Sequence, residues 1–302
     1  MASTADFVQW VNGHEWLIRG AAFVAVVALM ALWEVRAPAR RLLLSKPRRW
    51  ANNLGLVALN TALLRLLFPA AAVGMAVFAA EQGWGILNYY PLPLWLGIVV
   101  TVVALDFVVW LQHVMLHAIP VLWRLHRVHH ADPDFDLTTG ARFHPLEILL
   151  SMLIKFAAII VLGPPVVAVI IFEVLLNATS MFNHGNVRLP SRVDRILRCF
   201  VVTPDMHRVH HSVEEDETNS NFGFNLPWWD RLLGTYRAQP RAGHLGMTIG
   251  LHGYSQPRDV TWLSGLLAMP FRGSSSGYVI NRRQWGDPKD DHPDQKDRTL
   301  SH

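Results

Sequence analysis

Cysteine is nearly absent from this chain. A single residue, Cys199, stands among 302, so no disulfide can close within it, and cysteine-ligated iron–sulfur clusters and four-cysteine zinc sites are excluded. Charge is scarce as well. Asp, Glu, Lys and Arg make up 17% of the residues and the formal charge is only +4, which excludes a general polyanion binder, so no nucleic-acid partner is expected. Nor does a His-Glu-x-x-His motif occur, the helical signature of many zinc hydrolases. Apolar residues fill the space instead. They reach 51% with a positive mean hydropathy, a composition typical of a chain embedded in lipid.

The apolar residues are organised in runs. Residues 17–34, LIRGAAFVAVVALMALWE, span about 27 Å as a helix, close to the hydrocarbon thickness of a bilayer. The basic residues follow this run rather than precede it, unlike a cleaved signal peptide. Arg36, Arg40, Arg41, Lys46, Arg48 and Arg49 all precede a second run at 54–80, which places that loop in the cytoplasm and the N-terminus outside. A third run, 94–116, returns toward the cytoplasm. Two more, 146–162 and 166–182, flank Gly163-Pro164-Pro165 and read as a hairpin with a tight turn. Lys155 and Glu173 lie at nearly equal distances from that turn, so each is expected to meet the other or the protein interior. From 272 onward the chain is polar and broken by Pro and Gly, and reads as a mobile tail. The expected organisation is 1–93, N-terminal membrane helices and basic loop; 94–237, the histidine-bearing domain; 238–271, its extension; and 272–302, the tail. The expected fold is all-α, a multi-pass membrane helical bundle with a cytoplasmic histidine-rich helical cap.

Histidine is the ligand-capable residue in excess, with 15 in the chain. His113 and His117 are four apart at the end of the third run and share a helical face. The pentapeptide HRVHH stands at 126–130 and again at 207–211. Within each copy the adjacent pair, His129 and His130 or His210 and His211, diverges by about 100° on a helix, which suits two metals better than one. With His126, His207 and His184 this makes nine histidines on the same side of the expected topology, enough for two ions. Imidazole suits zinc, copper, iron and nickel. On the residues alone, a membrane zinc-dependent hydrolase, a haem-binding electron carrier and a non-catalytic metal-binding membrane protein stay open, as does a pair of solvated basic helices. His144 precedes Pro145 and reads as a helix cap. Asp106, seven residues before His113, is a carboxylate in an apolar helix and needs a partner; orienting a histidine is one role and an interhelical hydrogen bond another. Arg192, Arg195 and Arg198 lie along one side of a short helix, read as interfacial and held by lipid phosphates. The acidic run EEDE at 214–217 is a candidate dock for a basic electron donor.

The order H-x3-H at 113–117 and H-x2-H-H at 126–130 and 207–211 resembles the fatty acid hydroxylase/sterol desaturase superfamily of membrane di-iron enzymes. Asp106-x3-Trp110-x2-His113, FHPLE at 143–147, HGNVRLP at 184–190, TPDMHRVHH at 203–211 and NFGFNLPWWDRLLGTY at 221–236 resemble its further signatures. The resemblance implies metal-ligand roles for His113, His117, His126, His129, His130, His184, His207, His210 and His211, with Asp106, His144, Ser180 and Asp205 as candidates to support them. Ser180 stands where some members carry a further histidine. It implies two iron ions, which zinc can displace in preparations, and O2 as co-substrate. The implied reaction is attack on an unactivated C–H bond of a lipid such as a fatty acyl chain, sterol or hopanoid, with hydroxylation ahead of desaturation. Electrons would come from a separate protein of the cytochrome b5, ferredoxin or reductase type. The expected location is the bilayer itself, a bacterial inner membrane ahead of the endoplasmic reticulum.

Overall fold

A computed structural model describes residues 4–254, 256–273 and 277–280. Among them the regular structure is helical, with one isolated antiparallel bridge between Ser212 and Ile249. The helices follow in order: α1 (Thr4–Gly13), α2 (Glu15–Arg36), α3 (Lys46–Leu67), α4 (Ala71–Glu81), α5 (Ile86–Tyr89), α6 (Leu94–Ala118), α7 (Pro120–His130), α8 (Pro145–Leu162), α9 (Val166–Asn183), α10 (Ser191–Leu197), α11 (Pro204–His210), α12 (Glu215–Thr218), α13 (Trp228–Leu232), α14 (Gly243–Gly246), α15 (Pro257–Thr261) and α16 (Leu263–Ala268). Five stretches are long and apolar enough to cross a membrane: α2, the α3–α5 stretch Lys46–Tyr89, α6, α8 and α9. The chain is an integral membrane protein with a multi-pass helical bundle.

Local chemistry sets the boundaries. The second apolar run is two helices, because Pro69 cannot donate to a continuing α3 and Ala71 takes a positive φ of 47°. Pro145 opens α8 behind His144, whose Nδ1 accepts from the Leu146 amide at 3.2 Å. Gly163 ends α8 at φ 62°, and Pro165 precedes α9. This turn packs on the bend before α5, where a Cβ on Gly85 would come 2.2 Å from the Gly163 nitrogen. The hairpin's two charges do meet. Lys155 pairs with Glu173, and Arg19 of α2 adds a second contact at 2.7 Å, so ionic contacts join three apolar helices. Exposed aromatics gather at this end of the bundle, Trp16 on α2, Trp84, Tyr89 and Tyr90 around α5, and Trp95 on α6, the arrangement of a membrane-interface belt.

At the opposite end the connections form a cap. Arg49, at the start of α3, is fully buried and reaches Asp132 at 2.6 Å and Asp136 at 2.5 Å in the loop after α7. Asp134 accepts from the Leu43 and Leu44 amides at 2.8 Å. The basic run 36–49 is therefore not all surface: Arg49 is internal, and Arg40 donates to the His244 and Met247 carbonyls. The tail read from 272 does not begin there, since Tyr278 and Val279 pack with Trp123, Val128 and Leu251 in a buried cluster. Residues 281–302, most of that expected tail, lie outside the described residues.

Candidate metal centre

Helix geometry brings nine histidines together. The last two turns of α6 supply His113 and His117, α7 supplies His126, His129 and His130, and His184 ends α9. Thr203 caps α11, its hydroxyl accepting from the Met206 amide, and the helix carries His207 and His210, with His211 just beyond. All nine rings are at most 2% exposed. They sort into two groups, His113, His117, His126, His130 and His210, and His129, His184, His207 and His211, with one ligand atom from each ring within 4.8 Å of the others in its group. Each HRVHH copy is split between them. The first gives His126 and His130 to one group and His129 to the other; the second gives His210 to the first and His207 and His211 to the second. Adjacent imidazoles diverge on a helix, so neighbours serve different groups.

The ring nitrogens show what the groups lack. His113 Nδ1 lies 2.7 Å from the Phe222 carbonyl and His210 Nδ1 lies 2.8 Å from that of Ser220. A carbonyl only accepts, so Nδ1 carries the proton and Nε2 keeps a lone pair. His126 Nδ1 donates to Glu147 at 2.7 Å, and His117 Nδ1 to the Asn219 side-chain oxygen at 3.1 Å. The Nε2 atoms of these four rings are buried and have no hydrogen-bond partner. In the second group His184 Nδ1 donates to the Ser180 carbonyl at 2.7 Å, while its Nε2 faces those of His129 and His207 at 3.1 and 3.0 Å. Burial pushes His126 and His184 down to about 3 and holds His129, His130, His207, His210 and His211 well below the usual histidine range, so these rings are neutral. Converging, buried, uncompensated lone pairs are costly unless a cation accepts them. The donor set fits a pair of nitrogen-preferring transition metals, with the outer nitrogen of five of the nine rings held by an acceptor as in metal sites generally.

The residues expected to support the ligands divide. Ser180 does so through its carbonyl, and its hydroxyl donates to the Gly140 carbonyl at 2.7 Å. Asp106 touches no histidine. It accepts from the Asn225 and Leu226 amides and from Trp229 Nε1 at 2.8 Å, holding the loop whose Phe222 carbonyl takes His113. His144 is a cap outside both groups, with Nε2 3.3 Å from the Leu267 carbonyl. Asp205 pairs with Arg208 and stays away from the rings. Arg192 and Arg195 are exposed, but Arg198 is not a lipid-facing residue: it is buried, paired with Asp194 and bonded to the Ala238 carbonyl. The acidic run is partly neutralised within the fold, Asp216 by Arg237 and Arg241, and Glu217 by Arg237 at 3.8 Å, with the Arg241 amide donating to Glu217 as well.

Several supporting residues are given no role by the sequence: Glu147, Phe222 and Asp230 stand in its motifs, Asn219 and Ser220 in none. Glu147 reaches His126 because α8 starts beside α7, and Asn219 and Ser220 reach His117 and His210 from the turn after α12. Asp230 accepts from Trp110 Nε1 and from the Phe222 and Gly223 amides, which shapes the NFGFN loop. The contacts of Asn219 with His117 and of Asp230 with Trp110 join residues 102 and 120 apart and leave no local signal.

A cavity of about 350 Å³ leads from the site into the bundle, between α3, α6, α8 and α9. His113 and His126 line one end; Leu105, Val108, Met152 and Phe172 form apolar walls; Arg19, Lys155 and Glu173 stand at the other end. No histidine of the second group lines it.

The model of the fatty acid hydroxylase family matches residues 98–235. An ornithine lipid hydroxylase, OlsE, of Rhizobium tropici is 26% identical over 86% of this chain and 78% of its own length. Alkylglycerol monooxygenases of Xenopus tropicalis and Homo sapiens are each 26% identical, over 65% and 47% of this chain and 43% and 31% of theirs. The chain therefore spans less than half the length of those two relatives. No solved structure gives a significant match.

Proposed function

Because residues 98–235 form a domain of the fatty acid hydroxylase family, we propose that this chain is a membrane-bound, O2-dependent di-iron oxidoreductase that hydroxylates an unactivated C–H bond of a lipid. The observation that carries this reading is the convergence of nine buried, neutral rings into two groups, one of them lining an apolar cavity. His113, His117, His126, His130 and His210 would hold one iron, and His129, His184, His207 and His211 the other. Two irons there would supply reductive activation of O2 and abstraction of hydrogen from carbon. The overall reaction consumes lipid, O2, two electrons and two protons, and yields the alcohol and water.

The protein's own residues do the rest. Glu147, Asn219, and the Phe222, Ser220 and Ser180 carbonyls fix ring orientation and leave the outward nitrogens free to ligate. Leu105, Val108, Met152 and Phe172 admit an alkyl or acyl chain and exclude water from the site. Both kinds of relative are named for inserting oxygen, one into an ornithine lipid and the other into an alkylglycerol, which favours hydroxylation over desaturation. The basic 36–49 segment at the histidine-bearing end supports a cytoplasmic side for that end, where a separate soluble or membrane-bound redox protein would deliver electrons.

Elemental analysis of protein from iron-supplemented cells tests the reading. About two irons per chain are expected for the wild type, and neither should remain in His129→Ala/His210→Ala. Lipid profiling of cells with and without the protein should then show a product heavier by one oxygen. No stoichiometric metal after reconstitution under reducing conditions would sink the proposal.

A further inference from the structure

The cap has one edge that the site does not explain. Short helix α13 docks on the flank of α6, where Asp106 accepts from Trp229 Nε1, Asp230 accepts from Trp110 Nε1 at 3.0 Å, and the Phe107 and Trp229 rings lie 4.9 Å apart. Helix α10 joins it, with Trp228 Nε1 donating to the Cys199 carbonyl at 2.8 Å and Arg231 to that of Arg198 at 3.0 Å. The outer face of this pair is apolar: Ile196 is 64% exposed, Phe200 63%, Trp228 43%, Leu232 74% and Leu233 50%. A contiguous patch of this kind in water marks a binding surface.

Its depth identifies what covers it. Exposed Trp95, with Tyr89 and Tyr90 nearby, marks the far membrane interface at the start of α6. A hydrocarbon core of about 30 Å takes about 20 helical residues, so the near interface falls at about residue 115. On the same count α2 leaves the core at about Arg36, the first residue of the basic run. Asp106 is nine residues short of 115, about 13 Å inside the hydrocarbon, and Trp229 is bonded to it. The edge that carries Trp229 therefore lies below the membrane surface, although it follows the last membrane-spanning helix in the chain.

We propose that α10 and α13 form a wedge set into the leaflet nearest the histidines. Phe200, Trp228 and Leu232 lie among acyl chains, and exposed Arg192 and Arg195 meet lipid phosphates; Arg198, turned inward, takes no part. Buried depth and flanking arginines are those of an interfacial helix, here held in place by a membrane-spanning one. The wedge puts the loop 221–230, which carries the Phe222 carbonyl bonded to His113, in the same leaflet as a lipid substrate.

The chain's only cysteine makes the test direct, because Cys199 is exposed within this edge. A nitroxide on Cys199 of the wild-type protein, in vesicles of phosphatidylcholine and phosphatidylglycerol, should collide more with O2, which concentrates in lipid, than with a water-soluble nickel chelate. A label at Leu232→Cys in a Cys199→Ser background should favour O2 further. One at Gln239→Cys in the same background, on an exposed part of the cap, should favour the nickel chelate. Equal, water-like profiles at all three positions would overturn the wedge and make the patch a surface for a protein partner. The labels report depth whether or not iron is loaded, so the outcome is separate from that of the proposed chemistry.

Discussion

The two histidine groups differ in how their rings are held. In the first, four of five rings have a hydrogen-bond acceptor fixing Nδ1. In the second, only His184 does; its companions rest on aromatic packing, with Phe143 stacked on His129 at 4.6 Å and Phe135 beside His184 and His211. The cavity meets only the first group. On the function proposed above, directional bonds are concentrated where a substrate would meet a fixed centre, and packing suffices where a metal would only have to be retained.

The largest test removes one ring from each group. His126→Ala and His207→Ala should each lose about one metal per chain and abolish turnover, an effect beyond the roughly 10–100-fold that follows loss of a supporting partner. Metal analysis reads each loss. An unchanged metal content in His207→Ala would break the comparison, because the second group would then not be a metal site.

Next comes the support beneath the second group. Phe135 sits in the loop that Arg49 anchors through Asp132 and Asp136. Removing one partner of a buried ionic network typically costs about 3–5 kcal/mol, since the remaining charges stay buried. Arg49→Met should therefore lower thermal stability by that order and release metal from the second group first, which chelator titration would resolve as one fast and one slow metal.

Glu147→Ala acts on the other side of the comparison. It removes the acceptor from His126 without touching Phe135 or Phe143, and should weaken metal binding and turnover by about 10–100-fold. The fast metal in the chelator titration should now be that of the first group. If both variants release the same metal, the groups are not supported independently.

These differences separate what the sequence made legible from what it did not. Apolar runs located the spanning helices, Gly163-Pro164-Pro165 located the hairpin, and matched histidine spacing assembled the centre and pointed to the family. Residues whose partner is near in sequence were read well: His144 as a cap, or Lys155 against Glu173 across one turn. Pro69 splitting the second run was a local signal that the apolar count overrode. The sequence leaves Asp106 between a histidine and an interhelical hydrogen bond, puts Arg49 in a basic loop and Arg198 against lipid, because their partners lie at least 83 residues away or, for Arg198, on a short helix whose inward side the spacing does not reveal. Tyr278 was lost in a polar tail because a single aromatic among Gly and Ser gives no periodicity.

The finest test compares a carboxyl with a carboxamide support inside the first group. Glu147 holds His126 at 2.7 Å, and Asn219 holds His117 at 3.1 Å. A hydrogen bond to a neutral acceptor is worth about 1 kcal/mol, near fivefold in an equilibrium. Asn219→Ala should therefore speed metal loss to a chelator by about fivefold, less than Glu147→Ala. Asn219 also donates to the Tyr278 carbonyl at 3.0 Å, so a general loosening of the cap would mimic this result. Asn219→Asp separates the two. It forfeits the bond to Tyr278 and gains a charge beside His117, so metal retention above wild type means ring orientation dominates, whereas retention like that of the alanine variant means the Tyr278 contact does.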